Sequence, residues 1–275
     1  MGGEINLVMG TIDFIGLSLI AAETNEIADW LTSPIHLDAQ PPLLVTHVNA
    51  NNYYILCNNL TLCRHLKDNA HLLFDGIAMK LAGRLLGKGW LHDLNGTDLF
   101  PLVMKHLVND AVPLYFLGAD EFIVARAVQR TRSLWPGVRI VGYSSGYFTE
   151  VDEDRIVQNV NNSGAKVLLV ARGFPLQEEF SIRQRTRLKV SLIWNVGGLF
   201  DFISGHKPRA PLWMRQTGLE WLFRLAREPR RLCHRTFVVG PWFASHIIAE
   251  HFKLTQKILK KEVQRGWSRT VAGDS

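Results

Sequence analysis

The sequence predicts an α/β protein in which a mostly parallel sheet carries helices on both faces and a basic helical appendage follows at the carboxyl end. Three observations lead to this prediction. Short apolar runs alternate with longer segments of helical spacing, and the basic residues are concentrated near the end of the chain. The 275 residues are 47% hydrophobic and 20% charged. A chain of this length and composition is globular and long enough to bury a sizeable core.

The predicted strands are the short apolar runs in the middle of the chain, at residues 42–49, 71–75, 112–119, 138–146, 165–173 and 190–198. The segments between them have helical patterns, for example over 51–66 and 120–134. Continuous apolar strands separated by helices indicate a parallel sheet that is covered on both faces. Ligands of such sheets bind beyond the carboxyl ends of the strands. Asn49, Asp75 and four glycines fall at that edge.

The charge divides the chain into two parts. Residues 1–205 contain 17 basic and 20 acidic residues, a net charge of −3, whereas residues 206–275 contain 14 and 5, a net charge of +9. We therefore expect an α/β domain over 1–205 and a basic appendage over 206–275. The excess of positive charge indicates an anionic partner, which is membrane lipid, nucleic acid or a phosphorylated ligand. A solvated basic face is the alternative.

The appendage has tryptophans and leucines interleaved with arginines from residue 208 to 235. This pattern is typical of an amphipathic helix at a membrane interface, although a helix packed on the domain would have a similar pattern. No apolar run approaches the ~18 residues of a membrane span. The run at 14–22 is short and follows two acids, so it is a poor signal peptide. The three cysteines have no metal or redox spacing and predict a reduced, cytoplasmic protein.

Several common catalytic motifs are missing from the sequence. It has no G-x-G-x-x-G, P-loop, H-E-x-x-H or G-x-S-x-G. Asp152 and Asp154 form a D-x-D pair, which could hold a divalent ion, but acids that open a helix are also favourable through the helix dipole. We favour the second explanation and expect no metal site.

Asp75 is the strongest single candidate. It follows an apolar run and precedes a helical segment, so it is expected to cap that helix. Its neighbours are apolar, and a carboxylate among them would also suit a general base. The pattern alone leaves both roles open.

Six segments share their order and spacing with one known family over roughly residues 43 to 243. They are “LFDGIAMKLAGRLLG” (73–87), “NGTDLF” (95–100), “YFLGA” (115–119), “LLVARGFPLQEEF” (168–180), residues 195–232 and “RTFVVG” (235–240). These segments resemble the WecG/TagA/CpsF family of bacterial glycosyltransferases. The resemblance implies a Rossmann-like catalytic domain and an appendage that helps complete the site at the membrane.

The resemblance also implies site residues. Asp75 matches the family's proposed general base, Asn49 matches an Asn near the donor, and Gln177 matches a Gln at the donor site. Several members have a Thr two residues before that Asn. Here His47 holds this position and Thr46 precedes it, so we expect one of the two to take over its role. The arginines that would bind the acceptor or the leaving diphosphate are Arg209, Arg224, Arg227 and Arg231.

The function implied is that of an inverting, metal-independent glycosyltransferase without a cofactor. It would move a sugar from a UDP-sugar to a polyprenyl-diphosphate-linked saccharide in the synthesis of exopolysaccharide or a similar surface polymer. The protein would lie peripherally on the inner face of the cytoplasmic membrane, with no nucleic-acid partner, and a homo-oligomer is compatible with it. Two alternatives remain: a basic nucleic-acid-binding α/β protein, and a catalytically idle scaffold of polysaccharide assembly. No residue identifies the sugar, the acceptor or the polymer.

Overall fold

The structure is a computed structural model that describes residues 9–33, 39–89 and 92–272, with side chains up to residue 260 except 258. The described strands are β1 (Thr11–Phe14), β2 (Leu17–Ile20), β3 (Leu43–Val48), β4 (His71–Phe74), β5 (Leu114–Gly118), β6 (Ile140–Ser144), β7 (Val167–Ala171) and β8 (Leu192–Asn195). They form one sheet in the order β1-β2-β4-β3-β8-β7-β5-β6. Only β1 and β2 are antiparallel within it. The predicted α/β fold with a mostly parallel sheet is confirmed.

The helices of the first 205 residues lie between the strands. They are α1 (Thr24–Thr32), α2 (Ala50–Asn58), α3 (Leu60–Asn69), α4 (Ile77–Leu85), α5 (Gly96–Asn109), α6 (Glu121–Leu134), α7 (Glu153–Asn162), α8 (Leu176–Gln184) and α9 (Leu199–Ile203), with a 3-10 turn at Glu150–Asp152. The appendage continues with α10 (Leu212–Gln216), α11 (Glu220–Arg227), α12 (Pro229–His234), a π-helical segment (Arg235–Val239) and the long α13 (Gly240–Ala272).

The core lies on both faces of the sheet because alternate side chains of the buried strands point to opposite faces. In β3, Val45 belongs to one hydrophobic cluster, whereas Leu44 and Val48 belong to clusters on the other face. Trp194 of β8 is fully buried beside Val45 in the first cluster. The six predicted strands are all present. All of them except the edge strand β6 are largely buried, as continuous apolar runs predict.

Two elements differ from the sequence prediction. The apolar run at 14–22 contains β2 and the end of β1, which form a hairpin at the edge of the sheet. The helix expected over 51–66 is two helices, because the backbone of Asn59 leaves the helical conformation (φ −133°, ψ 81°). The Asn59 side chain then accepts a hydrogen bond from the Leu62 amide and caps α3.

The appendage packs on the domain through the start of α13. Phe243 and Ile247 are buried in the same hydrophobic cluster as Tyr53 of α2 and Met79 of α4. The Tyr53 hydroxyl also lies 3.2 Å from Nε2 of His246. These contacts hold the end of the chain beside the helices that follow β3 and β4.

Candidate active site

Asp75 and Asn49 meet at the carboxyl edge of two neighbouring strands. Asn49 follows β3 and Asp75 follows β4, and Val48 pairs with Phe74 at the ends of these strands. The Asn49 amide Nδ2 donates a hydrogen bond to Oδ2 of Asp75 over 3.0 Å. The Asn49 Oδ1 meanwhile accepts from the backbone amides of Asn51 and Asn52 and caps α2. The capping geometry therefore orients the amide that contacts the carboxylate.

The expectation that Asp75 caps the following helix is wrong. The cap residue of α4 is Gly76, whose φ of +91° favours glycine, and no described side chain caps this helix. Asp75 lies one position too early for its carboxylate to reach the helix amides. Its side chain, half-buried, turns towards Asn49 instead. The carboxylate is therefore not engaged in holding the helix.

A second carboxylate lies on the other side of Gly76. Oδ1 of Asp93 accepts a hydrogen bond from the Gly76 amide over 2.9 Å, and the Leu94 amide donates to the Phe74 carbonyl. Burial raises the pKa of Asp93 to about 6, and the negative charge of Asp75 acts in the same direction. Lys80 and the hydrogen bond from Gly76 partly oppose this increase. Sequence analysis missed Asp93, because it precedes the “NGTDLF” segment without any motif of its own.

His47 of β3 is buried near Asp75. The indole Nε1–H of Trp194 donates to Nε2 of His47 over 2.9 Å, which leaves the proton of the neutral ring on Nδ1. Nδ1 is buried, and among the described residues it forms no hydrogen bond of normal geometry. Burial lowers the pKa of His47, although the charge of Asp75 and the nearby Leu94 main chain act in the opposite direction. The ring is therefore neutral at pH 7 and is held in one orientation.

Thr46 and Gln177 meet on the opposite face of the sheet. The Thr46 hydroxyl and the Gln177 Nε2 both donate to Oε1 of Glu178, which is fully buried. The Gln177 Oε1 accepts from the backbone amide of Gly197 over 3.1 Å. Burial raises the pKa of Glu178 to about 8, while these hydrogen bonds oppose the increase. Glu178 is thus protonated at neutral pH. The hydrogen bonds among Thr46, Gln177 and Glu178, with the one from Gly197 to Gln177, connect β3, α8 and the loop after β8.

The appendage brings the cationic Arg235 into the region of Asp75. Arg235 is exposed to solvent, and desolvation by the surrounding protein nevertheless lowers the pKa of its guanidinium. The charge of Asp75 raises this pKa, and the charges of Arg224 and Arg231 lower it. Because such effects fall off with distance, Arg235 lies in the region of Asp75, and Arg224 and Arg231 lie in the region of Arg235. The sequence did not single out Arg235, although it is the first residue of the “RTFVVG” segment.

The four arginines predicted from sequence have local partners. Arg209 lies 2.8 Å from Asp98, Arg224 pairs with Glu220 one turn earlier, and Arg231 pairs with Glu228; the guanidinium of Arg227 lies 5.4 Å from the centre of the Phe223 ring. Of the four, Arg224 and Arg231 lie close enough to Arg235 to affect its pKa. Among the described residues, Arg209 contacts Asp98 and Arg227 contacts Phe223. Binding of a ligand by these residues stays a prediction.

The amino end of α6 is occupied by acids. Asp120 caps this helix by accepting from the Ile123 amide over 2.8 Å, and Glu121 lies in its first turn. In the D-x-D pair, Oδ2 of Asp152 accepts hydrogen bonds from the backbone amide and the hydroxyl of Thr149, and Asp154 forms an ion pair with Arg187. The described residues contain no group of three or more His, Cys, Asp or Glu arranged to hold a metal ion.

An apolar surface covers the outside of the appendage. We define the appendage apolar surface as its large exposed apolar side chains before α13, which are Leu212, Trp213, Trp221, Leu222, Phe237 and Val238. Trp213 is 59% exposed and Phe237 is 66% exposed. In α11 no residue is buried, and the apolar and charged side chains lie on opposite sides. None of the described helices has both the length and the apolar character needed to cross a bilayer.

The fold and the site together define a class of enzyme. A partly exposed carboxylate at the mouth of a parallel sheet can accept a proton from a hydroxyl group, and nearby guanidinium groups can stabilise a departing phosphate. This combination would suit a transferase whose donor is phosphorylated. The sequence model described as the glycosyl transferase WecG/TagA/CpsF family matches residues 12–257. The protein belongs to this family, and it is a glycosyltransferase of cell-surface polysaccharide synthesis. The family implies a nucleotide-sugar donor and a saccharide acceptor.

Proposed function

We propose that this protein transfers a sugar, with inversion at the anomeric carbon, from a UDP-sugar to a polyprenyl-diphosphate-linked saccharide at the inner face of the cytoplasmic membrane. The polymer would be an exopolysaccharide or a similar surface polysaccharide. One observation carries the proposal: Asp75, oriented by Asn49, interacts electrostatically with Arg235 of the appendage. The base of the reaction and the cations for its leaving group thus come from the two parts of the chain.

Asp75 is the proposed base. Asn49 donates to Oδ2 of Asp75. In the proposed reaction the other oxygen of this carboxylate, Oδ1, takes the proton of the acceptor hydroxyl. The acceptor oxygen bonds to the anomeric carbon while the bond from that carbon to the UDP oxygen breaks. The proton passes to Asp75, and the electron pair leaves with UDP. A single base is sufficient for an inverting transfer.

The leaving diphosphate needs positive charge, and the appendage supplies it. Acids occupy the amino end of α6, which makes that helix end unfavourable for an anion. Arg235 lies near Asp75, and Arg224 and Arg231 lie near Arg235. Guanidinium groups bind phosphate oxygens through two parallel hydrogen bonds. We therefore propose that these three arginines neutralise the diphosphate without a metal ion.

The membrane side of the proposal rests on the appendage apolar surface. Its tryptophans and leucines are exposed on the same short helices that carry the arginines. Apolar side chains of this kind enter the boundary between lipid headgroups and acyl chains, and basic residues are attracted to anionic lipids by about 1 kcal/mol each. A lipid-linked acceptor would then reach the site from the membrane.

The central experiment replaces the proposed base. Asp75→Asn retains an oxygen for the Asn49 hydrogen bond but cannot accept the proton. We expect it to reduce turnover at least about a thousandfold, within the range of general-base and electrostatic contributions together. The donor is first chosen by thermal shift from UDP-glucose, UDP-glucuronate and UDP-N-acetylmannosamine. UDP release is then measured with a short-chain polyprenyl-diphosphate saccharide in detergent.

The matched control is Asp154→Asn, which removes an exposed carboxylate on α7. It should leave turnover unchanged. Near-normal turnover of Asp75→Asn would reject the proposed base. If none of the nucleotide sugars bound and the protein instead bound DNA or RNA in a salt-dependent manner, the nucleic-acid alternative would replace the proposal. Binding of donor without any turnover in the wild type would favour the idle scaffold.

A further inference from the structure

Two carboxylates enclose the backbone at Gly76. Asp75 precedes Gly76 in the chain, and Oδ1 of Asp93 accepts a hydrogen bond from the Gly76 amide over 2.9 Å. That amide belongs to the peptide group between Asp75 and Gly76. With Gly76 at φ +91°, the hydrogen bond holds a turn that favours glycine. Asp93 therefore fixes the backbone from which the Asp75 side chain extends.

The hydrogen bond alone does not require a charged residue at position 93. An asparagine would offer the same carbonyl oxygen to the Gly76 amide. A partly buried carboxylate close to another carboxylate is unfavourable, because both burial and like charge oppose ionisation. A carboxylate whose ionisation is unfavourable, next to a candidate base, is typical of functional sites, where pKa values are shifted to suit the reaction.

Three side chains affect the ionisation of Asp93. Asp75 follows β4, Lys80 belongs to α4 and Asn95 precedes α5. The neutral ring of His47, from β3, lies near Asp75 and the main chain of Leu94. Burial and the charge of Asp75 raise the pKa of Asp93 to about 6, whereas Lys80 and the hydrogen bonds from Gly76 and Asn95 act against the increase. At pH 7 and above, Asp93 is mainly ionised. At pH 5 it is mainly neutral.

We infer that Asp93 is a positioning residue for proton transfer to Asp75, which it orients through Gly76 and supports with a second negative charge. This inference rests on the proposed role of Asp75 as base. When a proton reaches Asp75, the repulsion between the two carboxylates is relieved, so the negative charge of Asp93 favours the transfer. Asp93 acts through Asp75 and does not itself take the acceptor proton.

The first test compares Asp93→Asn with the wild type from pH 5 to pH 8.5. The variant keeps an oxygen for the Gly76 amide and loses the charge. We expect kcat to fall about tenfold at pH 8, the equivalent of one pKa unit, with KM for the UDP-sugar within about twofold. The ratio of wild-type to variant kcat should decline with a midpoint near pH 6 and approach one at pH 5. Asp93→Glu, which retains the charge, should keep the pH dependence of the wild type. If Asp93→Asn does not fold, the carboxyl titration described next tests the inference without that variant.

The second test does not need a substrate. Carbon-13 NMR of labelled aspartate carboxyl groups follows the titration of Asp93 directly. We expect a midpoint near pH 6 in the wild type and a lower midpoint in Asp75→Asn, because the neighbouring negative charge is gone. Asp154→Asn is the control, and it should leave the Asp93 titration unchanged.

The outcomes separate this inference from the proposed function. An activity ratio that stays constant from pH 5 to pH 8.5, or an Asp93 titration that is the same in Asp75→Asn, would overturn the inference. Equal activity of Asp93→Asn and the wild type at pH 8 would also overturn it. An active Asp75→Asn would instead reject the proposed base. Loss of activity in Asp75→Asn together with a pH-dependent effect of Asp93→Asn supports both.

Discussion

Asn49 joins the start of α2 to the carboxylate of Asp75 through a single side chain. Its Oδ1 accepts from two backbone amides of α2, and its Nδ2 donates to Asp75 over 3.0 Å. The helix cap and the orientation of the candidate base therefore depend on the same residue. The two roles can be separated, since serine caps a helix without offering an amide.

Asn49→Ser should affect the reaction more than the fold. The serine hydroxyl can cap α2, so the free energy of unfolding should change by less than about 0.5 kcal/mol, whereas turnover should fall about tenfold because Asp75 loses its donor. Asn49→Ala should show the same loss of turnover and a further loss of stability of about 1 kcal/mol. Urea denaturation and UDP release provide the measurements. Equal turnover of Asn49→Ser and the wild type would show that the Asn49 donor is dispensable.

Arg235→Gln should weaken the binding of UDP. The arginine lies in the region of Asp75, and hydrogen bonds to charged groups contribute about 1.5–3 kcal/mol, so a loss of affinity of about tenfold or more is expected. Calorimetric titration with UDP at two salt concentrations measures it. Arg155→Gln, which removes an exposed arginine paired with Asp152, is the control. Unchanged UDP affinity in Arg235→Gln would exclude this residue from the diphosphate site.

Glu178→Gln should make the protein more stable at alkaline pH. The pKa of a glutamate is about 4.3 in an unfolded chain and burial raises it to about 8 here, so the folded state binds an extra proton between these values. The stability of the wild type consequently falls as the pH rises through this window. The melting temperature of the variant relative to the wild type should increase by about 5 °C or more between pH 6 and pH 9. The exposed Glu150→Gln is the control, and a difference that does not change with pH would contradict the prediction.

Trp194→Phe should destabilise the fold by about 1–3 kcal/mol, because it leaves the buried Nε2 of His47 without its donor. Urea denaturation gives the change in free energy. Trp135→Phe removes the same atoms from an indole that contacts Phe100 and forms no described hydrogen bond. If the two variants lost equal stability, the contact between Trp194 and His47 would contribute nothing specific.

Leu222→Glu should reduce binding to anionic vesicles at least about tenfold, because a buried leucine contributes about 1.5–3 kcal/mol and the new charge is repelled. Leu222 is 43% exposed, so the melting temperature should change little. Sedimentation with phosphatidylglycerol vesicles measures the binding. Leu60→Glu changes an exposed leucine on α3, outside the appendage, and is the control. Equal vesicle binding by both variants would reject the appendage apolar surface as the membrane contact.

The parallel strands were predictable because burial on both faces leaves continuous apolar runs that are distinct from helical spacing. The hairpin of β1 and β2 was not, since its two short strands follow one another as a single apolar run. The break at Asn59 was missed because the helical pattern continues across it and only the backbone geometry shows two helices.

The candidate site was predictable where a residue follows a strand, as Asn49 and Asp75 do. The capping role of Asp75 was wrong because the positive φ of Gly76 moves the start of α4 by one residue. Asp93 and Arg235 reach the site through contacts between distant parts of the chain, which local spacing does not reveal. The burial of His47 against Trp194 is likewise a tertiary contact.

The packing of α13 on the domain affects when, during synthesis of the chain, the proposed site can form. The ribosome delivers Asp75 early and Arg235 late, and domains begin to fold while the rest of the chain is still being made. The segment around Arg235 is held in place by Phe243 and Ile247, which reach the helices beside β4 only after they too have been synthesised. A chain that stops before this point lacks the buried contacts that hold the segment around Arg235 on the domain. The proposed pairing of Asp75 with Arg235 therefore forms only after the segment that contains Phe243 and Ile247 has been synthesised.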